Sequence, residues 1–198
     1  HIMKSTTLKL IAVCALINWS SASFAQHTGH QGHTGAPATS AYAGEQSRNI
    51  KALSESDITS LKSGAGMAYA KAAELNGYPG PAHVMELKIQ LKLSDQQRTA
   101  TEALMASHQK QARVLGLQLI EAERALDVAF SSKTADASSV TAMAQRIGAV
   151  QAQLRAEHLQ THLKQTALLS PAQIASYQTL RGYDSAAPKT SNAQKHVH

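Results

Sequence analysis

Apolar residues in the middle of this chain recur in steps of three and four over two long stretches. The first runs Leu104, His108, Ala112, Leu115, Leu119, Ala122, Leu126 and Phe130, and the second Val140, Met143, Ile147, Val150, Leu154 and His158. That spacing places one narrow apolar stripe along each of two helices, predicted over Asp95 to about Phe130 and about Ser138 to Leu168. Ser131 to Ala137 lack the stripe and form the turn between them. No strand-like alternation interrupts the pattern, so the predicted fold class is all-α: a long antiparallel helical hairpin with short flanking helices.

Local punctuation sharpens the boundaries. Leu-Ser-x-x-Gln occurs at Leu93–Gln97 and again at Leu169–Gln173. In each copy the Ser hydroxyl can accept a first-turn N–H while the Gln reaches back to the Ser N–H, closing a capping box. Pro171 follows the second Ser at the first helical position, where its missing N–H costs nothing. Upstream, Ser54 to Asn76 reads as one or two short helices interrupted at Gly64 and Gly66. Gly77 caps that segment, and Tyr78-Pro79-Gly80-Pro81 is a turn leading into a helix from Ala82 to about Lys92. A last helix runs from Pro171 to about Arg181 and stops at Gly182. A hairpin with so narrow a stripe leaves a face open, which the flanking helices or a second copy must cover. A homodimer is the expectation.

The ends have a different composition. His1 and Ile2 precede Met3 and read as a cloning scar. Lys4 and Lys9, the apolar run Leu8 to Trp19 and the small-x-small site Ser23-Phe24-Ala25 then read as a signal peptide cleaved before Gln26. The chain thus divides into 1–25 (scar and leader), 26–41 (a His/Gly-rich arm without core residues), 42–184 (the helical domain) and 185–198 (a polar tail). Cleavage would remove the only Cys and the only Trp, leaving Phe130 as the last Phe. The compartment this implies is the bacterial periplasm. The formal net charge of +6 falls further once Lys4 and Lys9 are gone, and no row of aromatics offers stacking platforms, which argues against nucleic acid.

Histidines carry the candidate chemistry. In Glu157-His158-Leu159-Gln160-Thr161-His162, two imidazoles stand one turn apart on a helix face, a spacing that lets both reach one metal ion. With the turn centred near Thr134, His108 faces residue 160, between His158 and His162. Met105 lies one turn from His108, and Glu157 is a carboxylate ligand or supporting partner. Such a set suits zinc, copper, nickel or cobalt. The plainer alternative makes His108 a core histidine bonded to backbone or Gln, with His158 and His162 solvated. His83 and Glu86, three apart, form a second possible pair. His27, His30 and His33 form an H-x-x-H-x-x-H tract that can bind metal weakly without a fold. No Gly-rich phosphate loop, cysteine nucleophile or H-E-x-x-H motif is present, so no enzymatic activity is expected.

The paired Leu93-Ser94-Asp95-Gln96-Gln97 and Leu169-Ser170-Pro171-Ala172-Gln173 elements resemble the L-T-x-x-Q motif of the periplasmic Spy/CpxP family. The segments from Asn76 to His83 and from Leu180 to Tyr183 resemble its heavy-metal-sensor (CnrX-like) branch. The resemblance implies a four-helix hooked hairpin that dimerises into a cradle, and a non-enzymatic role. In the sensor branch, metal ligands would fall on His83, Glu86, His158 and His162, although that branch carries more His in its first helix than this chain. The leading expectation is therefore a periplasmic protein of heavy-metal sensing or resistance, with binding that fades below about pH 6 as imidazoles protonate. The alternative is an ATP-independent holdase for unfolded clients, with Lys88, Lys92, Arg98, Lys110, Arg113 and Arg124 lining its surface, or a repressor partner of a membrane-bound sensor kinase.

Overall fold

The computed structural model describes residues 39–184, and its compact unit begins at Ala41. The predicted leader, the arm with His27, His30 and His33, and the tail from residue 185 lie outside the described residues. Among the described residues the structure is entirely helical, with no strand.

The four longest helices each start at a side-chain capping box. A 3-10 turn at Glu45–Ser47 precedes α1 (Glu55–Ser63), which begins at a capping box between Ser54 and Asp57 and ends at Gly64 with φ 71°. Two Ser54 hydrogen bonds hold the Asp57 carboxyl below the usual carboxylate range. One turn, α2 (Lys71–Glu74), follows. Pro81 then opens α3 (Pro81–Glu86) from the first helical position. The two long helices are α4 (Asp95–Ser131) and α5 (Ala137–Ala167), and α6 (Pro171–Leu180) closes the domain. Ser94 with Gln97 and Ser170 with Gln173 form both capping boxes that the Leu-Ser-x-x-Gln pattern predicts.

At 37 residues, α4 is about 55 Å long. It packs antiparallel on α5 through the predicted stripe: Ala112, Leu115, Leu119, Ala122, Ile147, Val150 and Leu154 are all buried. Helix α1 lies across this core, adding Leu61, and the segment before it adds Ile50. Its close approach depends on Gly116, where a Cβ would stand 2.3 Å from the Leu61 carbonyl oxygen. A second cluster sits at the other end of the hairpin, where Val84, Leu91, Leu93, Leu169 and Tyr177 bury one another.

Two expectations need correction. The helix after Pro81 ends at Glu86, not near Lys92: the chain turns there, Lys92 adopts φ 50°, and the Leu93 N–H donates to the Lys88 carbonyl. This turn drives Leu91 and Leu93 together into the second cluster, which a continuous helix could not do. Phe130 is exposed, and Ala129 takes the buried position before the hairpin turn. The Ala129 carbonyl accepts the Thr134 and Ala135 N–H groups, which closes the turn.

Candidate functional site

Between the two apolar clusters, α4 and α5 carry polar side chains toward each other, and a cleft of about 660 Å³ opens over them. The loop after α1, the start of α3, Met105 and His108 from α4, and His158 and His162 from α5 line it.

His108 and His158 touch across the hairpin, edge to face, with ring centroids 4.6 Å apart. The near-160 register read from the sequence explains this meeting. His108 Nδ1 lies 3.1 Å from Glu157 Oε1 and 3.0 Å from Thr161 Oγ1. The Thr161 hydroxyl donates its one proton to the Glu157 carbonyl at 2.8 Å, so toward His108 it can only accept. Nδ1 therefore carries the His108 proton, and Nε2 carries the lone pair. Burial holds His108 below its ordinary pKa, against the hydrogen bond it donates to Glu157, which pulls the other way, so the ring stays neutral at neutral pH.

His158 is 4% exposed and donates from Nδ1 to the Leu154 carbonyl at 2.9 Å. Its Nε2 is buried with no hydrogen-bond partner. The Tyr69 ring packs beside it at 5.4 Å. His162, one turn on, donates from Nδ1 to the Tyr78 carbonyl at 2.7 Å. It fits only because residue 80 is glycine: a Cβ there would stand 2.7 Å from its Cε1. All three rings thus have Nδ1 tied to oxygen, which leaves Nε2 as the uncommitted ring nitrogen.

The rings are neighbours without being a finished ligand set. Among the described residues, no three His, Cys, Asp or Glu side chains stand close enough together to hold one ion. The expected convergence of three imidazoles on one point is corrected accordingly: His108 and His158 meet, while His162 turns to the Tyr78 carbonyl. Glu157 serves as the His108 partner and not as an open ligand. The alternative of solvated His158 is also overturned, since that ring is buried. His83 reaches the cleft rim, but its Nδ1 pairs with Glu86 Oε2 at 2.9 Å, and that hydrogen bond holds the Glu86 carboxyl below the usual range.

Residues 63–176, more than half of the chain, match the family model described as heavy-metal resistance. The chain belongs to the heavy-metal resistance family. No curated protein and no solved structure matches it. The family's heavy-metal resistance role agrees with the cleft's donor chemistry. A buried imidazole nitrogen without a partner is costly unless something ligates it, and imidazoles fixed through Nδ1–H to oxygen are the usual arrangement of metal-binding histidines.

Sequence reasoning missed Glu74. Its Oε1 accepts from Tyr177 Oη at 2.5 Å and Tyr183 Oη at 2.9 Å, with Arg181 Nε at 3.6 Å, while Oε2 accepts from the Gly80 N–H at 3.2 Å. Oε2 also lies 3.7 Å from His162 Nδ1. This carboxylate ties the cleft wall to α6, yet its sequence surroundings carry no motif that marks it. The six basic residues considered for client binding sit in ordinary settings: Arg98 pairs with Asp95, Arg124 with Glu121, Arg113 approaches the Ser63 carbonyl, and Lys88, Lys92 and Lys110 are exposed.

Proposed function

We propose that this protein serves heavy-metal resistance by binding a transition metal ion in the cleft, through Nε2 of His158 and His108 with His162 drawn in as the ion arrives. The single observation that carries this reading is His158 Nε2, a buried lone pair with no partner at the edge of a cleft. His108, held neutral by burial, needs no proton removed before it can bind. Zinc, copper, nickel and cobalt all accept such nitrogens.

The role is binding and not catalysis. Thr161, the hydroxyl nearest the imidazoles, accepts a hydrogen bond from His108 and donates its own to a backbone carbonyl, the opposite of what a nucleophile beside a general base requires. The leader-like N terminus, with Lys4, Lys9 and the Ser23-Phe24-Ala25 site, supports action in the periplasm. The paired Leu-Ser-x-x-Gln caps support placement with the Spy/CpxP proteins and their metal-sensing branch.

The test is calorimetric titration of the full chain with zinc at pH 7.5, in parallel with His158→Ala and His108→Ala. Loss of one stoichiometric site in each variant is expected, with any weak binding by His27, His30 and His33 remaining. Identical titrations of all three proteins would remove the reading.

A second role has its own support. Val114, Leu117 and Val128 stand exposed on one side of α4, an apolar edge that unfolded clients, a membrane-bound sensor or a second copy of the chain could cover. Suppression of client aggregation without ATP and without metal would establish the holdase reading. Sedimentation showing a monomer at micromolar concentration would remove the homodimer.

A further inference from the structure

The cleft's uncommitted donors are of one chemical kind: they are neutral, and two of them are sulfur. Met105 sits one turn before His108 on α4, half-buried, and lines the same cleft. Met67, in the loop after α1, lines it as well. That loop holds Met67 and Ala68 at φ 41° and 61°, both in the left-handed region that non-glycine residues occupy at a cost.

The nearby carboxylates are already engaged. Glu157 accepts from His108, Glu74 from Tyr177, Tyr183 and Gly80, and Glu86 from His83. Lys71 adds a positive charge to the lining. A hard divalent ion would find few anionic ligands here and one repelling cation. A soft monovalent ion has smaller demands, since two or three neutral imidazole and thioether donors satisfy it.

We propose that the cleft takes a soft monovalent cation of the copper(I) class, bound by His158 Nε2 and the Met105 thioether with Met67 closing from the loop. This rests on the reading that the cleft is a metal site and names the kind of metal it selects. Binding involves no change of oxidation state.

The experiment uses the full chain with His27, His30 and His33 replaced by Ala, so that the arm does not mask the cleft. Copper(I) is titrated anaerobically against a chromogenic copper(I) chelator, and zinc(II) against a zinc indicator, for this protein and for Met105→Leu and His158→Ala. Met105→Leu is expected to lose at least tenfold in copper(I) affinity with zinc affinity unchanged, while His158→Ala loses both. Copper(I) affinity unaltered by Met105→Leu but lost in His158→Ala would overturn the soft-metal inference and leave the metal cleft standing. Equal binding of both metals by all three proteins would remove the cleft reading itself. X-ray absorption of the copper(I)-loaded protein with its methionines intact gives a result independent of how well the variant folds. A sulfur neighbour is expected, and a shell of nitrogen and oxygen alone would overturn the proposal.

Discussion

Gln97 and Gln173 hold each other by reciprocal amide hydrogen bonds, Nε2 of each donating to Oε1 of the other at 2.8 and 2.9 Å. Each Oε1 also accepts the N–H of its own capping serine, Ser94 at 3.1 Å and Ser170 at 2.9 Å. The remaining amide N–H of Gln97 goes to the Leu168 carbonyl and that of Gln173 to the Leu91 carbonyl. The two Leu-Ser-x-x-Gln elements are thus one structure. Each caps its own helix, ties off the segment before the other helix, and locks the two helix starts together.

Replacing either glutamine by Ala should therefore strand its partner's amide and a carbonyl at once, costing about 1–3 kcal/mol. The double replacement leaves no half-satisfied amide, so its cost should fall clearly below the sum of the two singles. Urea unfolding of the four proteins measures this coupling, and strict additivity would show that the pair acts as two independent caps.

Glu123 predicts a pH effect. It is 9% exposed on the hairpin side of α4, and burial alone pushes its carboxyl above the ordinary 4.5. A carboxyl with a raised folded pKa binds its proton more tightly in the folded chain. Its contribution is therefore most favourable below about pH 4.5 and is lost as pH rises through the folded value. Glu123→Gln should raise the melting temperature at pH 7 and leave it nearly unchanged at pH 4. Thermal unfolding at the two pH values checks the sign, and destabilisation at pH 7 would mean that the charge has a stabilising role.

Much of the hairpin was legible in the sequence because one-dimensional spacing governs it. The steps of three and four placed Ala112 to Ala122 against Ile147 to Leu154, and the same register brought His108 to His158. Features that depend on three dimensions were not legible. Gly116 looks like an ordinary weak spot in a helix until α1 is seen crossing it. Glu74 gathers Tyr177 and Tyr183 from more than a hundred residues away, which no local pattern records. The turn at Lys92 answers to the second apolar cluster and not to local helix propensity. His162 could not be assigned a direction without knowing that the Tyr78 carbonyl would be waiting for it.

Gly80 offers a way to move His162 without touching it. Its backbone, φ −88° and ψ 149°, is open to any residue, so Gly80→Ala introduces no backbone strain. The new methyl would meet the imidazole at 2.7 Å from Cε1 and displace it. Metal affinity should drop about tenfold, as when a supporting contact of a ligand is lost, while the melting temperature hardly changes. Imidazole resonances and a metal titration read the two effects separately, and unchanged affinity would show that His162 takes no part in binding.

Glu74 should matter for stability more than any other single polar side chain near the cleft. Tyr177 is fully buried, and Glu74 is the acceptor for its hydroxyl. Burial first, and then the Glu74 hydrogen bond and charge, push the Tyr177 phenol far above the usual tyrosine range. Glu74→Ala removes the acceptor for two phenols and for the Gly80 N–H, leaving a buried hydroxyl orphaned at about 1–3 kcal/mol and loosening α6 as well. Tyr177→Phe removes the hydroxyl along with its need for a partner and should cost less. In the background of Tyr177→Phe, the further change Glu74→Ala should cost less than it does alone. Hydrogen exchange supplies the local measurement: amides of α6 should lose protection in Glu74→Ala, while those at the α1 crossing near Gly116 keep theirs. Equal loss at both ends of the hairpin would mean that Glu74 supports the whole domain and does not specifically fasten α6 to the cleft.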